Sequence, residues 1–368
     1  MERRQRFRIY AAGLLGLFML ATFGLAEYAA RQMPIRFHYL QFDPREGKVP
    51  EAGASYDYVG PGYRNRISFN SRHFRGPEPA LSDDSVRIAF LGDSYTLAAE
   101  VPYEASWPVI TAGLLAGELG RPVESLNFGV VSYSIANVLT SYVYRARELQ
   151  PRIAVYTVCG NDWEDADTAR VLAPGDGENV ELLPVPRPGW WQRFNSAAEK
   201  QVRLYKLVRS LPRILAFNFG GRGRMPRTSA GTPAERMRVF IDALSENRSP
   251  EDPETVRRIR RFNAITAEWV RRVRSDGAVP YVVFTNTLRD WQRRSLAETL
   301  GSLEVRYLDL HDEALSDPSG WESWHFDVDA HWSPHGNRRV AELVAERLSP
   351  VMDAPKDVKL RIEPDKSQ

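Results

Sequence analysis

The sequence predicts an α/β protein, a three-layer α/β/α sandwich with a mainly parallel sheet, preceded by one N-terminal transmembrane helix. From residue 86 onward, short apolar runs rich in strand-forming residues alternate with longer stretches at helical spacing. This alternation is typical of βαβ units around a parallel sheet. Near the N-terminus, a run without charge is long enough to cross a bilayer. The composition, 43% hydrophobic and 26% charged, is that of a globular protein.

The N-terminal segment predicts export. Residues 1–8 form a basic stub with four arginines, and residues 9–26 follow without a charge. Because positive charge stays on the cytoplasmic side, we expect a single-pass cell-membrane protein with a cytoplasmic N-terminus and the rest of the chain in the periplasm or otherwise outside the cytoplasm. Gly24-Leu25-Ala26 also fits a small-x-small cleavage site, so the segment is either an uncleaved anchor, which its length favours, or a removed signal peptide.

The rest of the chain divides by pattern. Residues 27–85 are predicted to be a juxtamembrane segment with a few short strands, including residues 66–69, and 86–350 the main domain, followed by a charged tail at 351–368. Gly120, Pro151 and Gly277 end three of the predicted helices. The predicted strands are 87–91, 123–131, 153–158, 279–286 and 305–310; the predicted helices are 109–119, 135–149, 253–274, 291–300 and 337–348.

An insertion at about 165–250 interrupts the alternation. It carries Trp190-Trp191, a predicted amphipathic helix at 197–211, and twelve basic but only two acidic residues between positions 187 and 238. Such a basic lobe fits anionic glycan or lipid headgroups, and a solvated arginine-rich surface explains it equally well. Nucleic acid is not an expected partner, because the lobe would lie outside the cytoplasm.

Polar residues needed for acyl transfer follow three predicted strands and occupy one late loop. An activated serine requires an imidazole base, and the base requires an orienting carboxylate. Ser94 follows the first strand in Gly92-Asp93-Ser94, and Asp329 lies two residues before His331. The oxyanion needs fixed donors, which Gly129 and Asn161 would supply if the strand ends meet.

These blocks resemble those of the SGNH/GDSL hydrolase family, whose fold is a flavodoxin-like sandwich. The resemblance covers residues 86–162 and 279–348. It implies that Ser94 is the nucleophile, His331 the base and Asp329 its partner, and that the Ser94 and Gly129 N–H groups and the Asn161 side chain form the oxyanion hole. The matching blocks are Gly92-Asp93-Ser94, Asn127-Phe128-Gly129, Gly160-Asn161-Asp162 and Asp329-Ala330-His331.

The chain departs from the family pattern at two blocks. The family's Gly-x-Asn-Asp block here has its glycine directly before Asn161, and its Asp-x-x-His block would place Val328 at the aspartate position. The shorter Asp-x-His looks like the variant of membrane-tethered and polysaccharide-acetylation relatives. Asp327 is the alternative carboxylate, and His335 is a rival base that fits a helix start better.

Three tryptophans and the single cysteine have no assigned role in the chemistry. Trp107, Trp324 and Trp332 would either line an acyl or sugar pocket or pack in the core. The single cysteine, Cys159, is expected to be a buried small residue. No His and carboxylate cluster has ligand spacing, so we expect neither a metal nor a cofactor.

The expected function is that of a serine esterase acting on O-acyl esters, mainly acetyl esters, of a cell-envelope glycan or lipid. The N-terminal helix is expected to contact the inner membrane. This substrate follows from compartment and family resemblance. Two alternatives stay open: an O-acyltransferase using the same residues, and a non-catalytic envelope protein that binds glycan or protein partners.

Overall fold

The computed structural model describes residues 2–32, 40–60, 62–165, 171–172, 180–202, 204–205, 207–209, 231–244, 249–327 and 329–353. The described residues group into two compact units. One contains the first helix and the Trp190–Gln201 helix, and the other contains the parallel sheet and the helices packed on it.

The helices are α1 (Glu2–Gln32), α2 (Ser94–Leu97), α3 (Trp107–Leu119), α4 (Ile135–Tyr144), α5 (Asp162–Asp165), α6 (Trp190–Gln201), α7 (Pro233–Leu244), α8 (Pro253–Ser275), α9 (Asp290–Ser302), α10 (Leu310–Leu315) and α11 (Pro334–Asp353). The strands are β1 (Leu40–Asp43), β2 (Gly47–Pro50), β3 (Ser55–Gly60), β4 (Tyr63–Ser68), β5 (Val86–Gly92), β6 (Val123–Asn127), β7 (Ile153–Val158), β8 (Val171–Leu172), β9 (Glu181–Leu182), β10 (Val279–Phe284), β11 (Arg306–Asp309), β12 (His325–Phe326) and β13 (Asp329–Trp332).

The larger unit is built on a five-stranded sheet in the order β11-β10-β7-β5-β6. All four pairings are parallel, so the predicted α/β class and parallel sheet are confirmed. Because parallel strands end at the same edge, the loops after β5, β6 and β7 lie side by side. That edge receives the residues predicted to carry the chemistry.

Alternate residues of the strands enter two separate apolar layers. On β5, Ile88 and Phe90 pack with α3, α7 and α11, whereas Ala89 and Leu91 pack with α4, α8 and α9. The strands β7 and β10 divide in the same way. Since both faces of a parallel sheet must be covered, this division produces the expected three layers.

The predicted juxtamembrane segment contributes two antiparallel hairpins, β1–β2 and β3–β4, to the same unit as the sheet. Just after β4, the side chain of Arg75 is fully buried and donates to the carbonyl oxygens of Leu97, Ala98 and Val101 at 2.6–2.8 Å. The chain before residue 86 therefore supports the loop that follows Ser94.

Three predicted helices differ from the observed ones. The helix expected at 135–149 is interrupted at Arg145, whose guanidinium turns inward to a buried ion pair with Glu46 at 2.8 Å. The helix expected at 197–211 begins earlier, at Trp190, and residue 211 lies outside the described residues. The last helix continues through Pro350 to Asp353 because Val351 and Met352 are buried; the remaining tail lies outside the described residues.

Among the described residues, only one helix is long and apolar enough to cross a membrane, over Arg3–Ala30. Its large apolar side chains are exposed to solvent rather than packed in a core. A signal sequence would have the same length and composition. The smaller unit thus begins with a membrane-compatible helix.

Candidate active site

Ser94 lies in a sharp turn between β5 and the single-turn helix α2. Gly92 has φ +151°, and a Cβ there would lie 2.9 Å from the Thr157 carbonyl oxygen. This close approach admits only glycine. Asp93 then caps α2, because its carboxylate accepts the N–H of Tyr95 at 2.9 Å. The turn therefore presents the Ser94 side chain at the carboxyl edge of the sheet.

The hydroxyl of Ser94 meets an imidazole from the late hairpin β12–β13. Ser94 Oγ lies 2.8 Å from His331 Nε2, and His331 Nδ1 lies 2.5 Å from Asp329 Oδ1. The other Asp329 oxygen accepts the Tyr63 hydroxyl at 2.8 Å. A proton on Nδ1 facing the carboxylate leaves the Nε2 lone pair facing Ser94 Oγ. The structure thus brings the predicted nucleophile, the predicted base and its predicted carboxylate partner into contact.

A second carboxylate, which sequence reasoning missed, faces the same imidazole nitrogen. Glu100 is 3% exposed, and its Oε1 lies 3.3 Å from His331 Nδ1. The Tyr58 hydroxyl donates to the same Glu100 oxygen at 3.4 Å. An acidic residue within the apolar stretch after Ser94 was the only signal in the sequence. No local pattern predicts the contacts of Tyr58 and Tyr63, because both tyrosines lie on the β3–β4 hairpin, far in the sequence from Glu100 and Asp329.

The charges around His331 favour its protonated form. Burial disfavours the imidazolium, but the charge of Glu100 and the hydrogen bond and charge of Asp329 outweigh it. With a smaller contribution from Asp93, they raise the pKa of His331 to about 9. The imidazole therefore holds strongly any proton it takes from Ser94. Because a base must be neutral to accept that proton, the competent fraction of the protein increases as pH rises through about 9 and levels off above it.

A second histidine, His325 on β12, is buried beside the site in a different chemical setting. Trp332 Nε1 can only donate, and it lies 3.2 Å from Asn286 Oδ1. The Asn286 amide nitrogen therefore faces His325 Nε2, at 2.9 Å, and His325 Nδ1 donates to the Ala330 carbonyl oxygen. Burial lowers the pKa of His325 to about 4. His325 is thus a neutral residue that fixes the hairpin.

Gly129, a predicted oxyanion donor, packs directly against the turn that carries Ser94. A Cβ at this position would lie 2.2 Å from the Leu97 nitrogen, so no larger residue fits. In this structure the Gly129 N–H donates to Asn127 Oδ1 at 3.0 Å, and the Asn127 amide donates to the Thr96 carbonyl oxygen at 2.8 Å. Gly129 can therefore serve an oxyanion only when the Asn127 oxygen shares or releases its N–H.

Asn161, the other predicted donor, follows β7 and is linked through Cys159 to the Ser94 turn. Cys159 Sγ lies 2.8 Å from both Asn161 Oδ1 and Asp93 Oδ2. Burial, together with the charges of Asp162 and Asp93, raises the pKa of the Cys159 thiol. The thiol therefore stays protonated, joins the two loops by hydrogen bonding and is not a second nucleophile.

Within the described residues, two clusters have ligand atoms close enough to share a metal ion. They are Asp93–Cys159–Asp162 and Glu100–Asp329–His331. In the first cluster, the Cys159 thiol donates a hydrogen bond to Asp93 and the Tyr156 hydroxyl donates one to Asp162. In the second, the same atoms orient the base. Hydrogen bonding accounts for both clusters, and the expected lack of a metal or cofactor stays a prediction.

The imidazole bonded to Ser94 is that of His331, and the two rival residues have other surroundings. His335 lies in the first turn of α11 with its Nε2 3.7 Å from Asp317 Oδ2. Asp327 is exposed, whereas Asp329 is the carboxylate hydrogen-bonded to His331. The three tryptophans considered for a pocket are at most 2% exposed and belong to the core: Trp107, Trp324 and Trp332.

Comparison with known proteins gives similarity at the level of structure. No family model matches the chain, and no curated protein matches it. The solved structures that it resembles include hydrolases of the GDSL type. A lipolytic protein of the G-D-S-L family from Desulfitobacterium hafniense DCB-2 has 13% identity and a TM-score of 0.36, covering 71% of this chain and 98% of its own.

Two further structures lie in the same range. A lipase/acylhydrolase from Enterococcus faecalis has 10% identity and a TM-score of 0.37, covering 72% of this chain and 96% of its own. A mutant of an acetylxylan esterase from Geobacillus stearothermophilus has 11% identity and a TM-score of 0.37, covering 72% and 94%. At these values the similarity transfers no activity to this chain.

Proposed function

We propose that this protein is a serine ester hydrolase that removes O-acyl groups, acetyl foremost, from a cell-envelope glycan or lipid. The observation that carries the proposal is the hydrogen-bonded series from Ser94 Oγ through His331 to Asp329, with distances of 2.8 and 2.5 Å. A serine aligned in this way on a base and an orienting carboxylate is suited to nucleophilic attack on an ester.

In the acylation step, His331 Nε2 takes the proton of Ser94 Oγ as the oxygen attacks the ester carbonyl carbon. The negative charge then develops on the carbonyl oxygen. Ser94 is the first residue of α2, so its backbone N–H has no acceptor within the helix and can donate to this oxyanion. The Asn161 amide and the Gly129 N–H are the proposed further donors.

The intermediate collapses when the ester C–O bond breaks and His331 returns its proton to the leaving alkoxide, which departs as an alcohol. Water then attacks the acyl-serine while His331 Nε2 accepts one water proton. Breakage of the Ser94–acyl bond releases the carboxylic acid, and His331 restores the serine hydroxyl. In both steps Asp329 and Glu100 stabilise the transient imidazolium.

The proposed location supports an envelope substrate. The helix α1 is compatible with a membrane span, and the basic residues precede its apolar run. We propose that α1 anchors the chain with its N-terminus in the cytoplasm, which places the catalytic unit where acylated glycans and lipids of the envelope are accessible.

The test uses the full-length protein in detergent or lipid nanodiscs, with a fluorophosphonate probe and p-nitrophenyl acetate. We expect covalent labelling and turnover in the native protein, with loss of labelling and a fall in turnover on the order of 10⁴-fold or more in Ser94→Ala. Ser302→Ala, which changes an exposed serine at the end of α9, is the matched control and should retain both.

Equal labelling and turnover in Ser94→Ala and the native protein, with unchanged thermal unfolding, would contradict the proposal and favour a binding role. A second assay separates hydrolysis from transfer. The protein is incubated with an acetyl donor and a polysaccharide acceptor, and both acetate and acetylated glycan are quantified. If acetylated glycan is the main product, the protein is an acyltransferase and the proposed hydrolysis is wrong.

A further inference from the structure

The helix α6 of the smaller unit carries an exposed aromatic face. Trp190, Trp191 and Phe194 are 71%, 55% and 54% exposed. Their rings form one continuous group, with centroids 5.5 Å apart for each successive pair. At about 100° per residue these three positions, with Ala197 and Ala198, share one side of the helix. Leaving two adjacent tryptophans in water is unfavourable, so this face calls for an apolar partner.

The opposite side of α6 is polar, and its surroundings are basic. Gln192 and Ser196 lie on the side opposite the aromatic face, Arg193 is exposed at an edge of that face, and Arg187 is exposed three residues before the helix begins. Tryptophan beside arginine is characteristic of helices in the interfacial region of a bilayer, where the rings sit at headgroup level and the cations meet anionic lipid. Burying the flanking arginine charges in a protein core would cost more free energy than placing them among lipid headgroups.

The chain three residues after α6 is hydrogen-bonded to the end of the predicted membrane span. The Leu204 N–H donates to Glu27 Oε2 at 2.8 Å, within the same compact unit. Glu27 directly follows the eighteen uncharged residues 9–26, which rise about 27 Å as a helix and so match a hydrocarbon core of roughly 30 Å. The adjacent Tyr28 is also exposed, at 66%. If α1 spans the membrane, Glu27 and the chain bonded to it lie at the membrane surface.

We infer that α6 is a second membrane contact, whose Trp190, Trp191 and Phe194 side chains insert into the lipid interface beside α1 while Arg187 and Arg193 bind anionic phospholipid headgroups. The inference rests on the proposed membrane anchor. It assigns part of the basic insertion to the lipid surface rather than to glycan, because aromatic side chains accompany the arginines on an element connected to α1.

The test measures the lipid exposure of fluorescent labels on single introduced cysteines in the full-length protein. Phe194→Cys reports the aromatic face, Ser196→Cys the polar face of the same helix, and Leu20→Cys the middle of α1. Cys159 is buried with a raised thiol pKa, so unmodified protein serves as the labelling blank. Each protein is reconstituted in mixed phosphatidylcholine–phosphatidylglycerol vesicles that contain doxyl-labelled lipid, and in the same vesicles without it.

We expect doxyl lipid to quench the labels at positions 20 and 194 several-fold more than the label at 196. Quenching at 194 should weaken when phosphatidylglycerol is omitted, and equal quenching would overturn the role of anionic lipid. Quenching at 20 but not at 194 would overturn the inference and leave the anchor intact. Loss of quenching at both positions would overturn the anchor itself. A label at 194 that is blue-shifted but not quenched would overturn the inference, because it would show that the aromatic face is covered by a protein partner or a second copy of this chain and not by lipid.

Discussion

His325 and His331 lie on the two strands of one short hairpin and are held in opposite protonation states. His331 faces two carboxylates, and its pKa is raised to about 9. His325 faces a carbonyl oxygen and an amide, and burial lowers its pKa to about 4. Removal from water therefore penalises both imidazolium forms, and only the carboxylate partners of His331 reverse the result.

The difference teaches that the partners, rather than burial, assign the two roles. A histidine that must receive and return a proton needs stabilisation of its charged form at the moment of transfer. A histidine that fixes a hairpin needs one donor and one acceptor and no charge. Asp329 comes from the hairpin itself, whereas Glu100 comes from the loop after α2, so the catalytic setting depends on elements distant in the chain.

Among single changes to the two histidines and their partners, we expect the greatest loss of activity from replacing Asp329, whose carboxylate is hydrogen-bonded to His331. We expect Asp329→Asn to lower kcat/KM for p-nitrophenyl acetate on the order of 10²- to 10³-fold. This is less than the roughly 10⁴-fold loss typical when a serine triad loses its orienting aspartate, because Glu100 still holds a proton on Nδ1. The double variant Asp329→Asn/Glu100→Gln should show the full loss of activity, roughly 10⁴-fold. A double variant no worse than the single one would remove Glu100 from this role.

A smaller effect is expected from Glu100→Gln alone. We expect a fall of about tenfold in the high-pH plateau of kcat, since the imidazolium of the transition state loses one counter-charge. The midpoint of the pH–rate profile should also move below about 9, because removing a negative charge lowers the pKa of His331. Glu104→Gln, an exposed position nearby, is the matched control. An unshifted midpoint would show that Glu100 acts only in packing.

The smallest effect on activity is expected from His325→Gln, which keeps one donor and one acceptor. Activity should stay within a few-fold of the native value, while the pH dependence of stability changes. The folded pKa of about 4 lies below the unfolded value of about 6.5. The unfolded state therefore binds the proton first, and His325 costs the native protein stability as pH falls from 6.5 to 4.

Thermal unfolding of the native and His325→Gln proteins between pH 4 and 7 measures this change. The difference between the two melting temperatures should move in favour of the variant as pH falls, by an amount worth a few kcal/mol at most. His331 has the opposite sign: its stabilisation is complete below about 6.5 and is lost as pH rises through about 9. Parallel curves for the two proteins would refute the neutral state assigned to His325.

Much of the scaffold could be predicted because its signals are local. The apolar runs that became β5, β7 and β10 alternate with helices whose ends are marked by Gly120 and Asp276-Gly277. The break at Arg145 could not be predicted, since helical periodicity continues through it and the side chain there bonds to Glu46 and to the His73 carbonyl oxygen, which are distant in the chain. Contacts between distant segments leave no mark on the local pattern.

The α/β class, the apolar N-terminal helix and the candidate residues Ser94, His331 and Asp329 could be predicted from the amino-acid sequence, because strand periodicity and short polar blocks lie in neighbouring residues. The contacts of Glu100 with His331 and of Tyr63 with Asp329, the bond from Gly129 to Asn127 and the burial of the three tryptophans became evident only in the folded protein. These outcomes depend on the parallel register of β5, β6 and β7 and on the packing of the β3–β4 hairpin. Physical proximity between such elements arises only when the chain folds.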